Sequence, residues 1–281
     1  MQKIALITDS ACDLDLNTLK ENNINLLPLR IIYSNGDYRD RIDITPQEVY
    51  DNLENEVPKT SLPSAQETEE ILTKLETEGY THVICISISS GLSGSFNAIR
   101  LALEDHPKLT SFVYDSKILA YPQGEIVLEV AKLIKEGKSF EEIVQEIPEI
   151  RKRVIGYFTI NTLEYLKKGG RIGRLAGTVG ELLNLKPIIT TDEDGVYYNV
   201  AKVRGRKQSL SKMTELLKGY LDKSKCEIAV LHAGCEDEAI KYMNSLKDLP
   251  NVESIKIAEI SPALGIHGGP GLIGFSVKMV K

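Results

Sequence analysis

Ile84-Cys-Ile-Ser-Ile-Ser-Ser-Gly-Leu-Ser-Gly-Ser-Phe-Asn-Ala98 decides how the chain is built around its site. An apolar run ends in hydroxyls and glycines, and a helix-type pattern follows. The order predicts a strand, a tight turn and a helix, with Ser93 and the N–H groups of Gly94 and Ser95 at the helix N-terminus. Orphan backbone donors and the positive end of the helix dipole make such a place a seat for an anion. Gly91-Leu-Ser-Gly-Ser95 also comes within one residue of the G-x-S-x-G nucleophile elbow, with Ser95 where the last glycine belongs. A nucleophilic serine needs a base that a third group orients. The histidines are His82, His106, His232 and His267, and in the α/β-hydrolase chain order His267 is placed to serve. Three readings therefore compete at Ser93. One is a serine hydrolase or acyltransferase using Ser93 and His267; another is an ordinary glycine-rich strand-to-helix turn with no ligand. The third is a seat that holds a carboxylate or another anion without attacking it.

Outward from this segment, the first half alternates strands and helices. Buried-type strand patterns occupy residues 3–8, 82–87 and 111–114, with another over 24–33 that Pro28 interrupts. Thr45-Pro-Gln-Glu48, Ser64-Ala-Gln-Glu67 and Ser139-Phe-Glu-Glu142 read as capping boxes, and Gly79 and Gly137 as helix stops. Polar clusters at strand ends (Thr8-Asp-Ser10, Ser89-Ser90, Asp115-Ser116) should converge on one crevice, because open parallel sheets bind ligands beyond their carboxyl edges. The second half reads differently. A short helix over 161–168 ends at Gly169-Gly170, and a hairpin over 187–203 turns at Gly195. Amphipathic helices over 208–220 and 236–246 surround a strand at 227–232, and strands at 252–259 and 273–280 complete a mixed or antiparallel sheet. The expected architecture is α/β with two domains. Residues 1–154 form an N-terminal parallel-sheet domain carrying the anion-binding loops; residues 155–281 form a C-terminal α/β domain.

Composition narrows the function classes. The chain has 281 residues, 42% hydrophobic and 26% charged, with a net charge of −6, which argues against nucleic acid as a partner. Cys12, Cys85, Cys226 and Cys235 are scattered and form no C-x-x-C pair, and no spaced His or Cys motif for a metal occurs. No Walker A motif is present, so intrinsic ATP binding is unsupported. The N-terminus does not read as a signal peptide, and no apolar run reaches the ~18 residues of a membrane span. A cytoplasmic location is expected.

Three more segments carry candidate chemistry. Lys59-Thr-Ser-Leu-Pro-Ser64 is a hydroxyl-rich loop in which Ser64 caps the following helix, leaving Thr60 and Ser61 for a turn or a ligand. Ser261-Pro-Ala-Leu-Gly-Ile-His-Gly-Gly-Pro-Gly271 surrounds His267 with glycines, either as a simple turn or to bring backbone and imidazole close to a ligand. Lys167-Lys-Gly-Gly-Arg-Ile-Gly-Arg174 and Arg204-Gly-Arg-Lys207 are concentrated basic patches in an acidic chain, either a solvated surface or, because glycines let bidentate arginines approach closely, a phosphate contact.

Together these motifs resemble the DegV family, the fatty acid-binding subunits of bacterial fatty acid kinases. The matching pieces are Thr8-Asp-Ser10 with Asp13-Leu14, Lys59–Ser64, Ser87–Ser95, Tyr114-Asp-Ser116, Thr162-Leu-Glu-Tyr-Leu-Lys-Lys-Gly-Gly-Arg-Ile172, Leu185-Lys-Pro-Ile188 and Gly265–Gly271. Leu62 stands where the family commonly has Gln and is expected to alter the rim of the pocket. The resemblance implies a long-chain fatty acid buried between two α/β domains, with no other cofactor and no catalysis by this chain. Its carboxylate would be held by Thr60, Ser61, Ser93, Gly94 and His267. A separate ATP-dependent kinase would make the acyl-phosphate, with Arg171, Arg174, Arg204 and Arg206 as candidates for docking it or contacting phosphate. A transient membrane-surface contact would serve ligand exchange.

Overall fold

The structure, a computed structural model, describes residues 2–178 and 185–280. Its first half runs β1 (Ile4–Asp9), α1 (Leu16–Glu21), β2 (Ile24–Leu27), β3 (Arg30–Tyr33), β4 (Gly36–Arg39), α2 (Pro46–Asn52) and β5 (Lys59–Ser61). It continues with α3 (Ala65–Thr77), β6 (His82–Ser87), α4 (Ser95–Glu104), β7 (Thr110–Asp115), α5 (Tyr121–Lys135) and α6 (Phe140–Lys152). The second half runs β8 (Val154–Thr159), α7 (Glu164–Lys168), β9 (Leu185–Thr191), β10 (Tyr197–Arg204) and α8 (Arg206–Leu221). It closes with β11 (Cys226–His232), α9 (Glu236–Leu246), β12 (Val252–Glu259), α10 (Pro262–Gly268) and β13 (Ile273–Met279).

The strands form three sheets. A parallel sheet has the order β2-β1-β6-β7, a mixed sheet the order β10-β9-β8-β13-β11-β12, and a small antiparallel sheet the order β4-β3-β5. In the mixed sheet only β11 and β12 run parallel. This is the α/β class with one parallel and one mixed sheet. The single strand read over 24–33 is two strands in different sheets. Pro28 has no N–H to continue a ladder, so the chain leaves the parallel sheet there and starts the small one at Arg30.

Strand alternation assigns each face. In the parallel sheet, Ala5, Ile7, Val83 and Cys85 pack outward with Leu72, Leu75, Ile99 and Leu103 of α3 and α4. Leu6, Ile84 and Ile86 point inward, into a core that also takes Ala229 and Leu231 from the mixed sheet. The far face of the mixed sheet buries Ile228, Val230, Phe275 and Val277 against α8 and α9. The inner faces of the two large sheets therefore share one core, although Val154 opens the first strand of the mixed sheet and all four strands of the parallel sheet precede it.

Helix α5 lies in that shared core, with the side chains from Tyr121 to Val127 all buried. Its Gln123 amide donates to Thr8 Oγ1 and Asp9 Oδ1 at 3.2 and 3.1 Å on the parallel-sheet side. On the other side Ser276 of β13 donates to the Glu125 carboxyl. A Cβ on Gly124 would collide with the carbonyl oxygen of Cys12, so only glycine lets the helix lie against the turn after β1.

Burial lifts the Glu125 carboxyl from its ordinary 4.5 to about 8, against the opposing effects of Ser276, Lys278 and Lys256. The folded chain thus keeps this proton to a higher pH than the unfolded chain does. The associated stability is complete below pH 4.5 and is lost as pH rises towards 8, at about 1.4 kcal/mol per pH unit. Glu125→Gln should leave the melting temperature near pH 4.5 almost unchanged and raise it at pH 8, in differential scanning calorimetry.

Candidate functional site

The opening motif folds as read. β6 ends at Ser87, the hydroxyl-rich turn follows, and α4 begins at Ser95 with Gly94 as its N-cap. Gly94 supplies no capping side chain, so the helix start is served from within the motif: Ser93 Oγ accepts the Ser95 N–H at 3.2 Å and lies 2.8 Å from Ser95 Oγ. Ser93 forms part of the wall of a cavity whose polar groups come from four segments. Thr60 and Ser61 arrive on β5, Arg171 from the loop after α7, and His267 from α10. Gly94 is not on the wall; Leu62 lies over it, with Cδ2 3.3 Å from where a Cβ would stand, and lines the cavity mouth instead.

His267 sits on a helix, not in a glycine-rich turn. Ser261 caps α10, accepting the Leu264 N–H, and Pro262 takes the first helical position. Glycine gives so short a segment poor helix propensity, and two buried carboxylates compensate. Asp13 Oδ1 accepts the Ser261 N–H and Asp40 Oδ1 the Ala263 N–H, each at 2.9 Å, at the positive end of the helix dipole. Asp40 also accepts from Ser10 Oγ at 2.5 Å, and Asp13 pairs with Arg41 at 3.1 Å. His267 Nε2 lies 2.7 Å from Thr60 Oγ1. Its Nδ1 faces Gly169, where any Cβ would overlap the ring. Burial, and secondarily the positive charge of Arg171, hold the imidazole down at about 4, so it is neutral at pH 7.

These distances speak against the elbow reading. His267 addresses Thr60 rather than Ser93, and among the described residues no carboxylate engages His267 Nδ1. A base oriented by an acid towards the serine is not assembled. The cavity instead presents hydroxyls, a neutral imidazole and one guanidinium, a donor set suited to holding a carboxylate.

Beside it lies a second cavity bounded by strands of the mixed sheet, the 118–122 segment, α7 and α10, walled mainly by apolar side chains such as Ile118, Phe158, Leu166, Leu231, Ile260 and Leu272. Leu119, Tyr197 and Leu264 belong to both walls. A polar-headed chamber thus adjoins an apolar one.

The DegV family model, described as an uncharacterised protein family, matches residues 3–279. A DegV domain-containing protein of Clostridium perfringens is 51% identical over 278 residues, 99% of each chain. The chain belongs to the DegV family. DegV of Bacillus subtilis, a fatty acid binding protein, superposes with a TM-score of 0.91 at 32% identity over 100% of both chains. A stearic acid-binding protein of Eubacterium ventriosum superposes at 0.88 with 29% identity, over 99% of this chain and 98% of its own.

Within this DegV fold the other candidates separate. The strand-end clusters do meet at the carboxyl edge of the parallel sheet, but they are spent on each other. Asp9 accepts the Ile88 N–H at 2.8 Å and caps the turn at Ala11, and Asp115 accepts the Ser90 N–H at 3.0 Å. The four arginines do not form one patch. Arg171 lines the polar cavity, donating to the Gly169 and Leu92 carbonyls at 2.6 and 3.3 Å. Arg174 pairs with Asp192 and Asp194 of the β9–β10 turn at 2.9 and 2.5 Å. Arg204 is exposed at the end of β10. Arg206 grips Glu238 in a bidentate pair at 2.8 and 2.9 Å and reaches the Gly271 carbonyl, tying α8 to α9. Arg171 was legible only as a glycine-flanked cation; nothing in the sequence marked Leu119, Tyr197 or Leu264 as cavity walls.

The depressed basicity of His267 has a signed consequence. Between 6.5 and about 4 the unfolded chain binds a proton at this residue that the folded chain refuses, so stability falls as pH drops through that window. Side-chain NMR should follow His267 titrating near pH 4, and His267→Gln should remove that part of the acid sensitivity. Gly169→Ala should displace the ring and break its contact with Thr60, visible as a shift of the His267 resonances.

Proposed function

We propose that this protein binds one long-chain fatty acid and presents its carboxylate to a separate ATP-dependent kinase, which forms the acyl-phosphate. The observation that carries this reading is the cavity holding Thr60, Ser61, Ser93, Arg171 and His267, set directly against an apolar cavity on the inner face of the mixed sheet. The carboxylate takes hydrogen bonds from the Ser93 and Thr60 hydroxyls, with Ser61 at the rim. The tail runs past Leu119 and Leu264 into the apolar chamber. Each buried methylene contributes about 0.8 kcal/mol, so a saturated sixteen-carbon tail outweighs desolvation of one well-bonded carboxylate.

The donors fit a substrate that must react elsewhere. A neutral His267 orients Thr60 without forming an ion pair, and among the described residues Arg171 supplies the cationic group of the cavity wall. The carboxylate stays nucleophilic; in the partner's site it attacks the terminal phosphate of ATP, and ADP leaves. Arg171 then faces the new acyl-phosphate, while exposed Arg204 is the better candidate for docking the kinase. Arg174 and Arg206 are engaged in ion pairs of their own. Bound fatty acids in the family's solved members support the lipid assignment.

Native mass spectrometry of the purified protein, followed by denaturing extraction, should find a non-covalent C14–C18 fatty acid at one per chain. A chain that stays empty when offered fatty acids sinks the proposal. Hydrogen bonds to a charged group contribute about 1.5–3 kcal/mol, so Ser93→Ala should weaken binding by roughly ten- to a hundred-fold. Fluorophosphonate probes should leave Ser93 unlabelled. Arg204→Ala should impair acyl-phosphate formation with the kinase and leave fatty acid binding intact.

A further inference from the structure

The two cavities meet at three side chains from three separate elements. Leu119 comes from the segment between β7 and α5, Tyr197 opens β10, and Leu264 lies on α10. Anything spanning both chambers passes between them. Of the three, Leu119 is carried by the most constrained backbone. Lys117 before it adopts φ 55°, and Ala120 after it φ 61° and ψ −159°, a region that is almost exclusively glycine's. A non-glycine residue stays there only when its surroundings over-determine it.

The surroundings do so. The Lys117 ammonium pairs with Asp115 at 2.9 Å and donates to Ser90 Oγ at 3.0 Å, while its carbonyl accepts from Thr191 Oγ1 at 2.8 Å. The Ile118 carbonyl accepts the Ser89 N–H at 2.9 Å and the Ser116 hydroxyl at 3.0 Å. The Ala120 carbonyl accepts the Gln123 N–H at 2.9 Å, in the first turn of α5. Contacts from both large sheets and the central helix therefore fix the strap on either side of Leu119. Strand β9 belongs to the mixed sheet, so the Thr191 bond also ties the strap to that sheet, whose Thr191 itself lines the apolar chamber.

We propose that Leu119 is the specificity-determining residue of the acyl channel: a fixed neck between head and tail chambers whose side-chain size sets which tails can pass. The proposal rests on the fatty acid reading above and deepens it. Because the strap is pinned, the width at this point depends on side-chain volume at position 119 rather than on loop motion. The neck discriminates only among tails long enough to cross it; a short acid confined to the head chamber does not feel it.

The test is equilibrium dialysis of delipidated protein against radiolabelled octanoate and palmitate. Leu119→Phe should weaken palmitate binding at least ten-fold and change octanoate binding by less than two-fold. Leu119→Ala should raise the affinity for a mid-chain methyl-branched acid several-fold relative to palmitate, which reads the same point if the Phe variant does not fold. Leu119→Met, of similar volume, should restore the wild-type ratio. Equal weakening of octanoate and palmitate by Leu119→Phe, or no effect on either, overturns the neck. A wild-type protein that binds neither acid overturns the carrier reading itself, and the neck with it.

Discussion

The structure depends on helix α5 being held between two sheets at once. An apolar helix alone would slide between two apolar faces, because burial is not directional. Gln123 and Glu125 remove that freedom by bonding opposite walls, one to Thr8 and Asp9 and the other to Ser276. Gly124, between them, sets how close the helix comes to the turn after β1. The start of this helix is also the end of the strap that carries Ile118 and Leu119 into the cavities. Spacing between the sheets, the volume of the apolar chamber and the placement of its neck thus share one mechanical origin.

Around that frame, buried acids organise the head chamber. Burial pushes the Asp9 and Asp40 carboxyls up to about 6, and each is nonetheless retained because it accepts backbone N–H groups that nothing else would satisfy. Asp40 and Asp13 do this for α10, the element that brings His267 to Thr60. The motif residues therefore divide by role. Asp9, Ser10, Asp13 and Asp115 build the loops, whereas Thr60, Ser61, Ser93 and His267 remain facing the cavity.

Much of this architecture is legible in the sequence. Strand and helix signals gave a parallel sheet followed by a mixed one, since two-sided burial and alternation follow from local sequence. Two capping boxes, at Thr45 and Ser139, form in full; at Ser64 the cap forms but Glu67 turns away to Arg30, because a nearby guanidinium competes for its carboxylate. Helix α10 was illegible because its glycines mask a Ser-Pro start that becomes helical only with carboxylates from residues 13 and 40 on its N-terminus. The basic patches read alike in sequence, yet Arg174 and Arg206 find acidic partners and Arg171 turns into the cavity.

The sequence by itself determined most of the strands and helices of the two large sheets, the anion-seat motif and the family, because these rest on residues within one or two helical turns of each other or on motifs in order. The tertiary structure alone decided that Thr60 meets His267 across 207 positions, that the serine lacks an oriented base, and that an apolar chamber opens behind the polar one. Cavities are the space left when distant surfaces pack, and no local pattern encodes a space bounded by a strap, a strand and a helix from three parts of the chain.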